Sequence, residues 1–170
     1  TSVGFNALSF LDKAKKENIS WYSGVPTMHQ GILMRAKKNM EQAKNLSLRF
    51  IRSSSASLPP AVFEELIDVF KAPVIEAYGM TEATHQMTSN PIPPEIQKAG
   101  FVGKPAGPDV CIMDIDGNKL EFGSEGEVCI RGDNVMHGYE NNEEANKSSF
   151  TNGWFRTGDQ GFFDKDGYLK

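Results

Sequence analysis

Within five residues, Tyr78-Gly79-Met80-Thr81-Glu82 sets an aromatic face, a glycine, a hydroxyl and a carboxylate side by side. Tyr78 offers a surface for stacking, and Gly79 lets backbone approach a ligand closely. Thr81 supplies a donor, and Glu82 is a hard oxygen ligand of the kind Mg²⁺ takes. By residue type alone the run fits a nucleotide site; the plainer alternative is a glycine turn with Glu82 capping a helix. A second run, Thr157-Gly158-Asp159, puts a short carboxylate beside a glycine. Such a carboxylate accepts two hydroxyl hydrogen bonds, as from a ribose diol, although a β-turn also favours Asp there. Ser53-Ser54-Ser55-Ala56-Ser57 is a third candidate, small enough for a flat ring or a phosphate to come close, and equally the composition of a helix-entry turn.

These runs need a scaffold, and the pattern supplies one. Residues 1–85 hold 4 glycines and carry a charge of +2, whereas residues 86–170 hold 12 glycines and carry −6. The shift divides the chain into residues 1–88, an α/β part, and residues 89–170, a β-rich part, joined through the stiff Ser89–Pro94 turn. In the first part Ala7, Phe10, Leu11 and Ala14 mark an amphipathic helix, followed by a strand over 19–25 and a helix over about 27–39. A strand over 48–52, a helix opened by Pro59-Pro60 and a strand over 72–78 complete the series. Alternating helices and strands imply a mostly parallel sheet with flanking helices, whose ligands sit beyond the carboxyl ends of the strands, where Gly79–Glu82 falls. In the second part Val110/Ile112 and Val128/Ile130 alternate with polar residues, and Asp116-Gly117, Asn152-Gly153 and Asp166-Gly167 are hairpin signals. The fold class is α/β followed by a smaller β-sheet or barrel.

Strand–Tyr78-Gly79-Met80-Thr81-Glu82, followed in order by Trp154-Phe155-Arg156-Thr157-Gly158-Asp159, resembles the adenylate-forming, AMP-binding superfamily of acyl-CoA synthetases. The likeness extends over essentially the whole chain, which looks like the later part of the large N-terminal domain of an enzyme roughly three times longer; the chain is therefore read as an internal piece. The resemblance implies ATP and Mg²⁺, with coenzyme A as co-substrate and a small carboxylic acid as the other partner. It places Ser55, Ala56, Glu76, Ala77, Tyr78, Gly79, Met80, Thr81 and Asp159 around the nucleotide. Thr81 would bind the α-phosphate, Glu82 would hold Mg²⁺, and these two would be the catalytic pair. The segment Ala77–Pro91, with "WYSGVPTMHQ" and "IRSSSASLPP", looks like the oxalate–CoA ligase and peroxisomal coenzyme A synthetase branch. A second carboxylate in the acid pocket must be hydrogen-bonded, and Ser55 and His85 would bind it. The same resemblance leaves open an adenylation domain that loads an amino acid onto a carrier protein, and a non-catalytic nucleotide-binding module. It implies that the isolated piece has little or no activity.

Composition narrows the remaining classes. At 170 residues, a net charge of −4 and 39% hydrophobic residues, the chain is neither disordered nor a nucleic-acid scaffold. No apolar run reaches the ~18–20 residues that span a bilayer. Two cysteines make no disulfide framework, and with no secretory signal the compartment reads as cytoplasmic or peroxisomal. His29, His85 and His137 are too dispersed for a zinc site, and both Asp-x-Asp-Gly runs lack calcium-loop spacing. Nothing in the sequence reports oligomeric state.

Overall fold

The computed structural model describes residues 4–170. They form two compact units: the described residues up to Glu76 with Pro91–Gly100, and Ala77–Asn90 with Phe101–Lys170. This division differs from 1–88 and 89–170, because the proline-rich segment returns to the first unit. There the Gly100 N–H donates to the Glu76 carboxylate at 3.0 Å.

In the first unit α1 (Ala7–Lys16) starts at Asn6, whose side chain accepts from the Leu8 N–H at 2.9 Å, satisfying one otherwise open donor of the first turn. α2 (Pro26–Lys37) and α4 (Pro60–Phe70) each place a proline in the first turn, where its missing N–H is no loss. The short α3 (Met40–Lys44) lies between them in sequence. The strands β1 (Trp21–Gly24), β2 (Phe50–Ser53) and the first residues of β3 (Val74–Tyr78) pair in parallel. Their register aligns Tyr22, Ile51 and Val74 in one row across the sheet. That row joins Leu11, Leu33, Ala43 and Leu66 from the four helices in a single buried cluster, so the helices share one face of the sheet. Truncating a fully buried core residue such as Ile51 costs roughly 2–5 kcal/mol, whereas an exposed ion pair such as Lys37–Glu65 contributes about 0.2–1 kcal/mol. The cluster, not the surface charge, holds this unit together.

The second unit begins with the end of β3. Ala77 and Tyr78 pair antiparallel with β4 (Thr88–Ser89), which pairs in turn with β5 (Lys104–Pro105). An antiparallel sheet follows, in the order β6 (Asp109–Met113), β7 (Gly126–Arg131), β9 (Trp154–Gly161), β8 (Phe150–Thr151), with α5 (Glu143–Ser149) preceding β8 in the chain. Asn152 and Gly153, with φ of 50° and 78°, make the tight turn between β8 and β9. The Asp114 carboxylate accepts from its own turn, at 3.0 Å from the Asp116 N–H and 2.8 Å from the Asn118 N–H, so this run is a hairpin device and not a cation loop. One sheet face buries Ile112, Val128, Ile130 and Phe155; the other buries Met113, Cys129 and Trp154. Over Trp154 sit the Lys119 ammonium at 4.2 Å and the Arg131 guanidinium at 4.5 Å from the ring centre. No described helix is long and apolar enough to cross a membrane.

Cys111 and Cys129 face each other in register across β6 and β7, both as free thiols. Burial pushes the Cys129 thiol up to about 12, with the Glu127 carboxylate a lesser contributor. Since the thiolate is the reacting species, alkylation by iodoacetamide at pH 8 is expected to spare Cys129 in the folded protein and to modify it on unfolding. Prompt labelling of Cys129 under native conditions, read by peptide mass, would contradict this packing.

Candidate functional site

Tyr78 closes β3, and the chain leaves it through Gly79 into a tight loop. An added Cβ at Gly79 would lie 1.3 Å from the His85 carbonyl oxygen, so only glycine fits there. The loop folds back because the Ala83 and His85 N–H groups both donate to the Met80 carbonyl, at 3.1 and 2.9 Å, and the Met87 N–H returns to Tyr78 at 2.9 Å. Thr81–Ala83 forms one 3₁₀ turn within it. Thr84 and His85 are both left-handed, with φ of 53° and 81°. Two successive non-glycine residues in that region are costly and cluster at functional positions. The His85 side chain is exposed, as is that of Thr81, whereas Glu82 is half-buried.

The second motif reaches the first within this unit. The Tyr78 hydroxyl donates to the Asp159 carboxylate, joining residues 81 positions apart. Burial raises the Tyr78 phenol well above its ordinary value, and the hydrogen bond to Asp159 raises it further, so it stays a neutral donor. Asp159 is placed by its own turn: its N–H donates to Thr157 Oγ1 at 3.1 Å, and Thr157 Oγ1 donates to the Val128 carbonyl at 2.8 Å. Glu127 secures the same turn, accepting from the Gly158 N–H at 3.0 Å and from Arg156 Nε at 2.8 Å. An aromatic face and an exposed carboxylate are thereby held together, one able to stack on a base and the other able to take hydroxyls.

Glu82 presents one carboxylate oxygen to the Tyr139 hydroxyl at 3.0 Å. Among the described residues no three His, Cys, Asp or Glu side chains gather to hold a metal by themselves. A single hard carboxylate suits Mg²⁺ where phosphate oxygens and waters complete the shell. The donor set therefore fits an ion brought in with a nucleotide.

In the first unit Glu76 has another task. Its carboxylate is almost fully buried, accepting from the Leu58 N–H at 3.3 Å and the Gly100 N–H at 3.0 Å. Its side chain thus anchors Leu58, at the end of the Ser53–Leu58 loop. In that loop Ser55 and Ala56 are exposed, and Ser55 is left-handed with φ of 70°. His29 is fully buried beside Gly24, with Nε2 3.2 Å from the Gly24 carbonyl. Burial lowers its pKa, which fits a neutral packing residue.

Several supporting residues carry no sequence signal. Asn134 donates to the Ala83 carbonyl at 2.8 Å and the Gln86 carbonyl at 3.2 Å, and its own carbonyl accepts from Thr84 Oγ1 at 2.6 Å. Asn134 and Tyr139 lie about fifty residues from the loop they hold, in a polar stretch without periodicity.

Comparison with known proteins gives this fold and this pair of motifs a family. The AMP-binding enzyme family matches residues 3–140, and the chain belongs to it. Among curated relatives, an oxalate–CoA ligase of Arabidopsis thaliana is 54% identical over 97% of this chain and 32% of its own length. One of Saccharomyces cerevisiae is 50% identical over 98% of this chain and 30% of its own. The chain thus spans about a third of the length of these relatives. Among solved structures, ATP-bound MatB from Rhodopseudomonas palustris superposes with a TM-score of 0.89 at 31% identity, over 99% of this chain and 33% of that one. O-succinylbenzoate coenzyme A synthetase from Bacillus subtilis, in complex with ATP and magnesium, does so with a TM-score of 0.81 at 32% identity, over 97% and 34%.

Burial raises the Glu76 carboxyl above its ordinary 4.5, against the two N–H donors that lower it. The folded state therefore holds this proton more tightly than the unfolded chain does. Its contribution to stability is complete below 4.5 and is lost as the pH rises through the raised value. Urea unfolding is expected to show the wild type losing stability relative to Glu76→Gln between pH 4 and pH 7. A pH-independent difference would show that the Glu76 carboxyl has the same pKa folded as unfolded, against the raised value.

Proposed function

We propose that the chain is part of an ATP-dependent carboxylate–CoA ligase that activates a small acid, oxalate, through an acyl-adenylate. The observation that carries the reading is the Tyr78–Asp159 hydrogen bond, which fixes a stacking face and a diol-binding carboxylate as one unit. The identity of 54% and 50% to enzymes named oxalate–CoA ligase supports the choice of acid.

In this reading the Tyr78 ring stacks on adenine, the backbone of Glu76 to Met80 and the Ser55-Ala56 turn line its edge, and Asp159 takes the ribose hydroxyls. Thr81 donates to the α-phosphate while an oxygen of the acid attacks phosphorus and pyrophosphate leaves. Glu82 holds Mg²⁺, which when bound supplies charge neutralisation at the phosphates. The thiol of coenzyme A then attacks the acyl carbon and AMP departs. Ser55 and His85 take the second carboxylate of the acid. Each of the two side chains is exposed, as that role requires.

Acid-dependent ATP–pyrophosphate exchange by the full-length enzyme tests the proposal, with oxalate, malonate, acetate, a medium-chain fatty acid, a cinnamate-type acid and mixed amino acids as the panel. Oxalate is expected to drive exchange, and His85→Ala to lower it at least about tenfold, the loss of a hydrogen bond to a charged group. Exchange with a fatty or aromatic acid, indifferent to His85, would refute the substrate; exchange with amino acids alone would make this a carrier-loading domain. ATP binding without exchange would leave only a nucleotide-binding module. Tyr78→Phe keeps the ring and loses the hydroxyl, so KM for ATP is expected to rise about fivefold with the acid KM unchanged.

A further inference from the structure

Glu82 is held at three levels by the segment that follows β7. The Met136 N–H donates to the Glu82 backbone carbonyl at 2.8 Å. Val135 packs with Ala83 and Met87 in one buried cluster, and Asn134 ties the carbonyls of Ala83 and Gln86. Tyr139 then reaches the side chain itself, its hydroxyl 3.0 Å from Glu82 Oε1. The phenol engages one oxygen of this carboxylate, Oε1.

Tyr139 is itself fixed from behind. Its N–H donates to Asn146 Oδ1 at 2.7 Å, and its carbonyl accepts from Asn146 Nδ2 at 2.9 Å, so one side-chain amide clamps one peptide unit from both sides. Gly138, with φ of 150°, permits this approach: a Cβ there would lie 3.0 Å from Asn146 Oδ1. Asn146 belongs to α5, which is capped by the Asn142 side chain accepting from the Ala145 N–H at 3.2 Å. A rigid relay therefore runs from a capped helix through Asn146 and Tyr139 to the carboxylate. Tyr139 is 38% exposed and belongs to no buried cluster, so packing does not account for this bracing.

We infer that Tyr139 is a positioning residue for the metal site, holding Oε1 of Glu82 so that the opposite oxygen meets the nucleotide-bound divalent cation. The inference rests on the reading of Glu82 as the Mg²⁺ ligand and adds to it a residue outside the two motifs. A carboxylate already restrained loses less freedom on binding the ion, which is where the phenol contributes to affinity.

The test uses the full-length enzyme and Mn²⁺ as the probe, counting free Mn²⁺ by electron paramagnetic resonance with and without ATP, alongside calorimetric binding of AMP without metal. Tyr139→Phe is expected to weaken ATP-dependent Mn²⁺ binding about tenfold while AMP affinity stays within twofold. Asn146→Ala, which loosens Tyr139 without touching Glu82, is expected to move Mn²⁺ binding the same way by a smaller factor. Unchanged Mn²⁺ binding in Tyr139→Phe overturns the inference, as does an equal fall in AMP affinity, which would mark a purely structural role. Glu82→Gln is the control for the premise: if it leaves Mn²⁺ binding intact, the metal reading of Glu82 fails and takes the inference with it. If Glu82→Gln weakens binding and Tyr139→Phe does not, only the inference fails.

Discussion

The His85 carbonyl oxygen occupies the volume where any side chain at position 79 would begin. Everything else about the loop after β3 follows from that close approach. With Gly79 and His85 in contact, Met80 becomes the acceptor for two N–H groups and the 3₁₀ turn forms. The chain then returns to pair Met87 with Tyr78. The left-handed conformations of Thr84 and His85 are the cost of so short a return. Asn134 and the Val135–Met136 backbone offset it by bonding and packing against the closed loop, so a strained turn is over-determined by its neighbours.

A similar economy governs Asp159. Its carboxylate stands at the surface, yet its backbone is placed by Thr157 and, through Gly158, by Glu127, which also carries Arg156. The β7–β9 register slips between Glu127 and Cys129. A bulge there re-aims the strand beyond it, the usual role of such irregularities beside binding sites. Sheet geometry, hydroxyl bonds and a half-buried ion pair together deliver one oxygen pair to the Tyr78 hydroxyl.

The alternation of helix and strand in the first half was legible because its apolar faces recur at helical spacing and its prolines sit in first helical turns. The two motifs were legible because their types are unusual in combination. α3 and α5 were not: one is five residues long, and the other buries no side chain, so neither leaves a periodic trace. The compact units were not legible either, since the return of Pro91–Gly100 depends on a hydrogen bond to Glu76 made across 24 residues. The Glu76 side chain is likewise engaged by N–H groups 18 and 24 residues away, contacts that leave no local sequence trace. Tyr139, Asn134 and Asn146 are common residues whose roles exist only through contacts distant in sequence.

Asn146 opens the sequence Asn-Lys-Ser, yet both atoms of its amide are engaged by the Tyr139 peptide unit. Hydrolysis of that amide to a carboxylate would replace the donor facing the Tyr139 carbonyl with a second acceptor, turning a clamp into a repulsion. Such a change at Asn146 would reach Glu82 only through the Tyr139 peptide unit and its hydroxyl.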